Sequence, residues 1–414
     1  MGIVGAVAVP SDVLLSSSMR TSPPEATLAR ARIWARALGI TRVTDITRLD
    51  RVGIPVYASV RPGAAVGSLC VNAGKGFRPI EAEVGAVMEA IEFALAEPGA
   101  SHVTTVRATA RDVLDGRQRP EAVLDLCPKL GVRIRLDAPM ECVVAHEITT
   151  GDRALVPAEL VFLPYRPHPR HRPTFGATSN GLSSGNTLAE ATVHGLCELV
   201  ERDVRSFQAV RDTSAPVDLD TARGAPSVMV EAIRAAGLEL YVRTAKNEFG
   251  LAYFTAIIND PEACVPQLLN GGFGCHPHRD VAFVRAVSEA AQSRLAYIHG
   301  GRDDLVGTHA RFRGWSGARK RAFVRRVVEK AARGEPVPFA RVDDHSESVK
   351  TVEQCERFVL GRLAAHGLDK AYRVAFCRPE DDLQVVRVIV PRLEMFNESL
   401  SRVGPRLRDY AEAA

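Results

Sequence analysis

The stretch NTLAEATVHGLCELVERD, Asn186 to Asp203, constrains this chain more than any other. It follows a glycine run, SNGLSSG at 179–185, and Thr187 and Glu190 stand at capping-box spacing, which sets a helix start just behind the glycines. Wound at about 100° per residue, Glu190, His194, Glu198 and Glu201 fall within one quadrant. Val193, Leu196, Val200, Val204 and Phe207 form the adjacent apolar face. The helix start offers free backbone N–H groups and a positive dipole end, which suit an anion.

An earlier segment repeats the design. Pro79 opens a helix to about Ala96, with Ile80, Val84, Val87, Met88, Ile91 and Leu95 as its apolar stripe and Gly85, Glu89 and Glu92 on another face. E-x-x-E thus occurs twice, as Glu89/Glu92 and Glu198/Glu201. Two carboxylates one turn apart can chelate a hard cation together, and Mg2+ is the natural guest. If the two helices pack, four carboxylates converge. Their repulsion then calls for metal ions, which a polyphosphate could bridge. The plainer reading of one isolated E-x-x-E is a solvated face, of Glu190 a cap, and of His194 a surface residue. A third helix, 281–298 with Asp280 as its cap, buries Val281, Val284, Val287, Ala291 and Leu295 and aligns Arg285, Glu289 and Gln292. Arg285 and Glu289 at i, i+4 are also explained by a helix salt bridge worth a few tenths of a kcal/mol.

The rest of the chain narrows the class. Its 414 residues are 46% hydrophobic and 25% charged, as in a globular protein, and no apolar run reaches the roughly 18 residues of a membrane span. The start MGIVGAVAVPSDVLL lacks a basic n-region, so a cytoplasmic protein is expected. Eight cysteines form no C-x-x-C, so buried thiols are expected instead of a zinc or disulfide framework. A net charge of +4 permits an acidic peptide or nucleotide partner without demanding nucleic acid. The basic helix 319–333 reads as a solvated face, since RNA binding would need aromatic platforms beside it. AGKG, 73–76, reads as a turn and is no Walker A, and G-x-G-x-x-G, G-x-S-x-G and H-E-x-x-H are all missing. Further elements are expected as a helix at 25–38 and strands at 52–60, 103–107, 132–136, 142–147, 238–245 and 251–260, with a proline-broken basic loop at 165–175. No repeat or linker divides the chain, which predicts one mixed α/β (α+β) unit whose site is built from distant pieces.

Together, TSNGLSSGNTLAEATVHGLCELVERD, GKGFRPIEAEVGAVMEAIE and RAVSEAAQSR resemble the YcaO family of ATP-dependent peptide-modifying enzymes, over roughly 60–400. The early segment MRTSPPEATLARARIWARALG, continuing to VYASVRP, resembles its stand-alone or TfuA-associated branch. The resemblance implies a single large domain over 61–400, with sheets flanked by helices and an ATP site that has no P-loop. Residues 1–60 would form an N-terminal segment contributing to that site, and 401–414 a tail. Mg2+ would link Glu89, Glu92, Glu198 and Glu201 to the phosphates, with Glu89, Glu198 and Arg202 as catalytic residues. Asn186, Glu190 and Arg202 would hold the nucleotide. Arg20 and Thr27 stand where the family has an early basic residue and a hydroxyl facing ATP, and Arg285 and Glu289 match a further nucleotide-side pair. Lys75 is read either as an added phosphate contact or as a plain turn residue.

The implied chemistry is activation of a peptide backbone amide by O-phosphorylation, giving a thioamide, amidine or azoline. The implied partners are a precursor peptide and a TfuA-like or E1-like protein, with no nucleic acid or membrane, and a homodimer is expected. Two departures stand out. Gly85 occupies a position where the family often has Ser, and the ending GPRLRDYAEAA lacks the P-x-P-x-P tail of many azoline-forming members. This departure and the early segment favour thioamide or amidine formation. A non-catalytic, nucleotide-binding accessory protein of a peptide- or ribosomal-protein-modifying system is the alternative. Substituted glutamates would favour it, yet Glu89, Glu92, Glu190, Glu198 and Glu201 are all present.

Overall fold

The computed structural model describes residues 13–14, 16–114, 119–166, 173–263, 265–269, 271–302, 305, 307, 311–397 and 399–413. Its principal helices are α1 (Pro24–Ala37), α2 (Pro79–Leu95), α3 (Leu188–Val210), α4 (Ala225–Ala235), α5 (Arg279–His299), α6 (Gly317–Ala332), α7 (Val352–Ala365) and α8 (Pro405–Ala413). Three of the four sheets among the described residues support them, the fourth being the short pairing of Val13–Leu14 with Met19–Arg20. The first is antiparallel and joins Arg42–Asp45, Val56–Val60 and Val71–Lys75. The second runs Gly271–His276, Ala252–Asn259, Glu239–Thr244, Ala215–Asp218, and ends in a parallel pairing with Val337–Pro338. The third runs Thr105–Thr109, Pro139–Glu147, Tyr372–Ala375, Gln384–Ile389, Leu182–Gly185, with Arg153–Pro157 paired to Pro139–Glu147.

Each sheet carries one helix of the site: α2 lies on the first, α5 on the second and α3 on the third. Glycine makes two of these approaches possible. A Cβ on Gly74 would lie 2.0 Å from Ala86 N, and one on Gly274 would lie 2.1 Å from Ala282 O. A side chain at either position would force the helix off its strand. Val87 and Ile91 of α2 join Leu28 and Ala31 of α1 and Val143, Val374 and Val385 of the third sheet in one core. Leu196 and Val200 of α3 pack with Val359 and Leu363 of α7. Full burial of one such side chain contributes about 1.5–3 kcal/mol. The apolar stripes therefore fix how each helix is rotated, and with it the direction of its glutamates.

Local starts are set partly by distant residues. Pro79 is the first residue of α2, and Glu81 reaches back to Phe77 N at 3.0 Å. At α3, Thr187 caps Glu190 N at 3.1 Å, but the expected return bond is not made, because Glu190 is engaged elsewhere. Asp280 does not cap α5. That helix starts at Arg279 behind His278, and Arg279 N donates to Asp344 at 3.1 Å.

Several expectations are corrected. Residues 73–75 belong to the strand Val71–Lys75, where small side chains that look like a turn serve close packing beneath α2. The run Leu182–Gly185 is likewise a buried strand. The expected strand 52–60 begins only at Val56, and 132–136 is irregular. Aromatic rings do stand beside basic α6. Phe312, Trp315 and Phe323 pack on one another at 5.1–5.8 Å, and Arg319 lies 4.0 Å over Trp315. The rings are occupied by this packing. None of the seven described cysteines is in a disulfide and six of them are buried, while Cys264 lies outside the described residues. Most of the apolar start 1–15 and residues 167–172 of the basic loop also lie outside them. Among the described residues no helix is long and apolar enough to cross a membrane.

Candidate active site

Where the three helix–sheet units meet, they leave a cavity of about 390 Å3. α2 contributes Glu89 and Glu92, α3 contributes Glu190, Glu198, Glu201 and Arg202, and α5 contributes Arg285 and Glu289. Arg20 and Thr27 reach it from the N-terminal segment, Lys75 from the first sheet and Asn186 from the turn before α3. All twelve residues singled out in the sequence thus line one space. Gly85 also lines it, and a side chain there would begin 3.3 Å from Gly74 Cα.

At one end every contact of Glu190 is already made. The carboxylate accepts from Arg20 Nη1, Thr21 N and Thr21 Oγ1, each at 2.9 Å, and from Asn186 N at 3.1 Å and Nδ2 at 3.0 Å. Burial alone would raise its pKa, but Arg20 and these bonds outweigh burial and hold it below the ordinary value. Asn186 Oδ1 in turn accepts from Thr27 Oγ1 at 2.8 Å and Arg30 Nη2 at 2.5 Å. Sequence reasoning missed Arg30. Its place one turn beyond Thr27 on α1 was the available signal.

The other end is short of positive charge. Burial pushes Glu92 up to about 8, a bond from Ser184 Oγ opposes this, and Glu89 and Glu198 add to the rise. Burial also raises Glu198, against the pull of Arg202 and Arg285. Glu201 is raised to about 7 by burial, although Arg202 Nη1 lies 3.2 Å away. Arg202 is itself held charged against burial by Glu201, Glu198 and Glu289, so it divides one charge among three carboxylates. Glu289 fares better, because Lys75 Nζ lies 3.1 Å from it and Lys75 and Arg202 together outweigh burial and lower its pKa. Lys75 also donates to Gln292 Oε1 at 3.1 Å. Burial and Arg285 hold His194 neutral, with Nε2 accepting from Arg285 Nη2 at 2.9 Å. The sequence set His194 beside the glutamates without this role.

Seven glutamates and five basic residues line the cavity, an excess of two negative charges once every carboxyl is ionised. A polyphosphate could enter only with added cations. The donors at the crowded end are carboxylate oxygens, which fit Mg2+ and do not fit a soft metal. Among the described residues no three His, Cys, Asp or Glu side chains form a ready cage for an ion.

The chain as a whole resembles known proteins. A family model described as YcaO cyclodehydratase, ATP- and Mg2+-binding, matches residues 73–394. An uncharacterised protein of Methanothermobacter thermautotrophicus is 35% identical over 382 residues, spanning 90% of this chain and 94% of its own length. An uncharacterised protein from the tfuA 3′ region of Rhizobium leguminosarum bv. trifolii is 34% identical over 395 residues, spanning 91% and 89%. The structure of YcaO from Methanopyrus kandleri, bound with AMPPCP and Mg2+, matches with a TM-score of 0.71 and 25% identity over 95% of this chain and 98% of that one. The chain belongs to the YcaO family of ATP- and Mg2+-binding cyclodehydratases.

Proposed function

We propose that this chain uses ATP with Mg2+ to O-phosphorylate a backbone amide of a precursor peptide in ribosomal-peptide natural-product maturation. The carrying observation is that Glu89 and Glu92 of α2 and Glu198 and Glu201 of α3 line one cavity together with Arg20, Lys75, Arg202 and Arg285. When bound, Mg2+ would neutralise phosphate charge and favour phosphoryl transfer, held through the oxygens of Glu89, Glu92, Glu198 and Glu201. Lys75, Arg202 and Arg285 face the same charge as fixed cations, and preorganised charge of this kind is the main aid such transfers need. Asn186, Thr27 and Arg20 hold the nucleotide at the ordered end, where Glu190 keeps Arg20 and Asn186 in place. Glu289 tethers Lys75, and Glu89, Glu198 and Arg202 stand nearest the chemistry. Residues 1–60 complete the nucleotide site, 61–400 form the catalytic domain and 401–414 a tail.

In this reading a nucleophile adds to the amide carbon, and the former carbonyl oxygen takes the γ-phosphoryl group as ADP leaves. Phosphate then departs with that oxygen. Sulfide would give a thioamide, an amine an amidine, and a Cys, Ser or Thr side chain an azoline. We favour the thioamide or amidine outcome with a TfuA-like partner, on the strength of the relative from a tfuA 3′ region and the early segment. A cytoplasmic homodimer is the proposed form. The test is a peptide with an isotope-labelled amide oxygen. Label recovered in phosphate, with ADP as the nucleotide product, is expected. AMP as the sole nucleotide product, or label kept in the peptide, refutes O-phosphorylation.

A further inference from the structure

Residues 311–333 hold nine of the chain's 53 lysines and arginines and one of its 49 aspartates and glutamates, Glu329. This short run carries a net +8 on a chain of net +4, so everything outside it is net negative. Most of it is α6, and α6 breaks two local rules. Ser316 caps Arg319 N at 3.3 Å, yet the first turn holds no acid and two cations, Arg319 and Lys320, at the positive end of the helix dipole. Arg321 and Arg325, and Arg326 and Lys330, stand one turn apart as like charges, which repel. A helix serving only to pack would be steadier with acids at these places. A break of local preference without a local gain marks a surface kept for something else.

The helix is fixed so that these charges face outward. Val324 and Ala331, each 5% exposed, form its inner side, and Phe312, Trp315 and Phe323 anchor its start. At its end Arg243 Nη1 donates to Lys330 O at 3.3 Å, Ala331 O at 3.0 Å and Arg333 O at 2.7 Å. Arg319, Arg321, Arg325, Arg326, Lys330 and Arg333 are all exposed, and the same side holds one acid, Glu329. On the helical wheel Arg319, Arg326 and Lys330 fall within about 40° of one another, and Arg325 and Arg321 extend the outer side further round. Of the six cations only Lys330 has an ion-pair partner among the described residues, Asp212 at 3.2 Å.

The pattern selects the partner. A guanidinium receives a carboxylate through two parallel N–H bonds, so closely spaced arginines suit a run of aspartates and glutamates. Single-stranded RNA draws on open aromatic faces as well as on charge. Trp315 already carries Arg319 over its ring at 4.0 Å, with the rings of Phe312 and Phe323 packed against it. A membrane surface calls for apolar anchors beside the charge, and none of the large exposed apolar side chains among the described residues lies on α6. We propose that the outer face of α6 docks an acidic segment of a partner polypeptide, whose carboxylates pair with Arg321, Arg325, Arg326 and Arg333. The inference goes beyond the nucleotide site and does not depend on it.

The probe is a fluorescein-labelled peptide of Glu-Ala-Ala repeats, titrated with the full chain and followed by fluorescence anisotropy. Binding is expected at low salt and should weaken steeply as salt rises. Arg325→Glu combined with Arg326→Glu should weaken it about tenfold, through lost and reversed pairs. Each new carboxylate stands one turn from Arg321 or Lys330, so this variant should keep its thermal unfolding midpoint. Arg36→Glu combined with Lys370→Glu reverses two exposed cations at the end of α1 and before the strand Tyr372–Ala375. It changes the net charge equally and should leave binding within about twofold of the parent. No binding to the parent, or equal loss in the two double variants, overturns the proposal. So does tighter binding of a uridylate oligonucleotide of matched charge, or of vesicles of phosphatidylcholine and phosphatidylserine in equal parts, lost in the same α6 variant. A dimer of the parent that the α6 variant does not form would assign the face to a second copy and overturn it as well.

Discussion

The two ends of the nucleotide cavity are built from the same residue type and behave oppositely. Glu190 accepts from Arg20, Thr21 and Asn186 and is held ionised. Glu92 and Glu201, farther along, are pushed up to about 8 and about 7 by burial that local cations do not offset. The difference separates scaffold from site. A carboxylate whose partners are all protein groups stabilises the fold, whereas one buried without enough charge costs stability until a cation arrives.

The largest expected effect breaks the scaffold end. Glu190→Gln leaves Arg20 facing a neutral group and turns one of the two acceptor oxygens, which serve Thr21 and Asn186, into an NH2 donor. Breaking a buried pair costs about 3–5 kcal/mol, and Arg20's partial exposure places this case near the lower bound, about 3 kcal/mol. Urea unfolding without nucleotide reads it. A cost under about 1 kcal/mol would remove the distinction between the ends.

Glu198→Gln should act in the opposite sense. Without ligand it relieves a buried charge and leaves the unfolding midpoint equal or higher. Its AMPPCP affinity in the presence of Mg2+ should fall about a hundredfold, in line with loss of a metal-linked group. Destabilisation together with unchanged affinity would make Glu198 a scaffold residue like Glu190.

A smaller effect is the pH dependence of the ligand-free protein. Glu92 and Glu201 have folded pKa values raised above the ordinary 4.5, so the folded state binds more protons than the unfolded one between 4.5 and about 7 to 8. Stability from these two groups is full at or below about 4.5 and is lost as pH rises through about 7 to 8. Glu190 has the reverse sign: its folded pKa is lowered, and its contribution is present above 4.5 and lost on acidification below that. Thermal unfolding from pH 5 to 8 should show a falling midpoint, flattened in Glu92→Gln. Binding of AMPPCP with Mg2+ should release protons, seen as a calorimetric heat that varies with the buffer's ionisation enthalpy. A midpoint that rises across this range would contradict the assignment.

Much of this was legible in the sequence because helical periodicity decides which side chains share a stripe. The apolar faces of α2 and α3 fix their rotation on the sheets, so the two E-x-x-E pairs point where the wheel put them. What depends on distant partners was not legible. Ala73 and Gly74 look like a turn, and only the passage of α2 overhead explains them as a strand. Asp280 has the composition of a cap, but Asp344, far along the chain, does that work. Glu190 matches a capping box, yet Arg20 and Thr21 compete for its oxygens. The clamp of Arg387 on the 178–180 loop carries no local pattern at all.

The most direct test is a crystal structure of the chain with AMPPCP and Mg2+. Phosphates are expected between α2 and α3, with Mg2+ oxygen-ligated by at least one of Glu89 and Glu92 and one of Glu198 and Glu201, and Glu190 still bonded to Arg20. Phosphates bound elsewhere, or Mg2+ held without a glutamate from both helices, would contradict the division between scaffold and site.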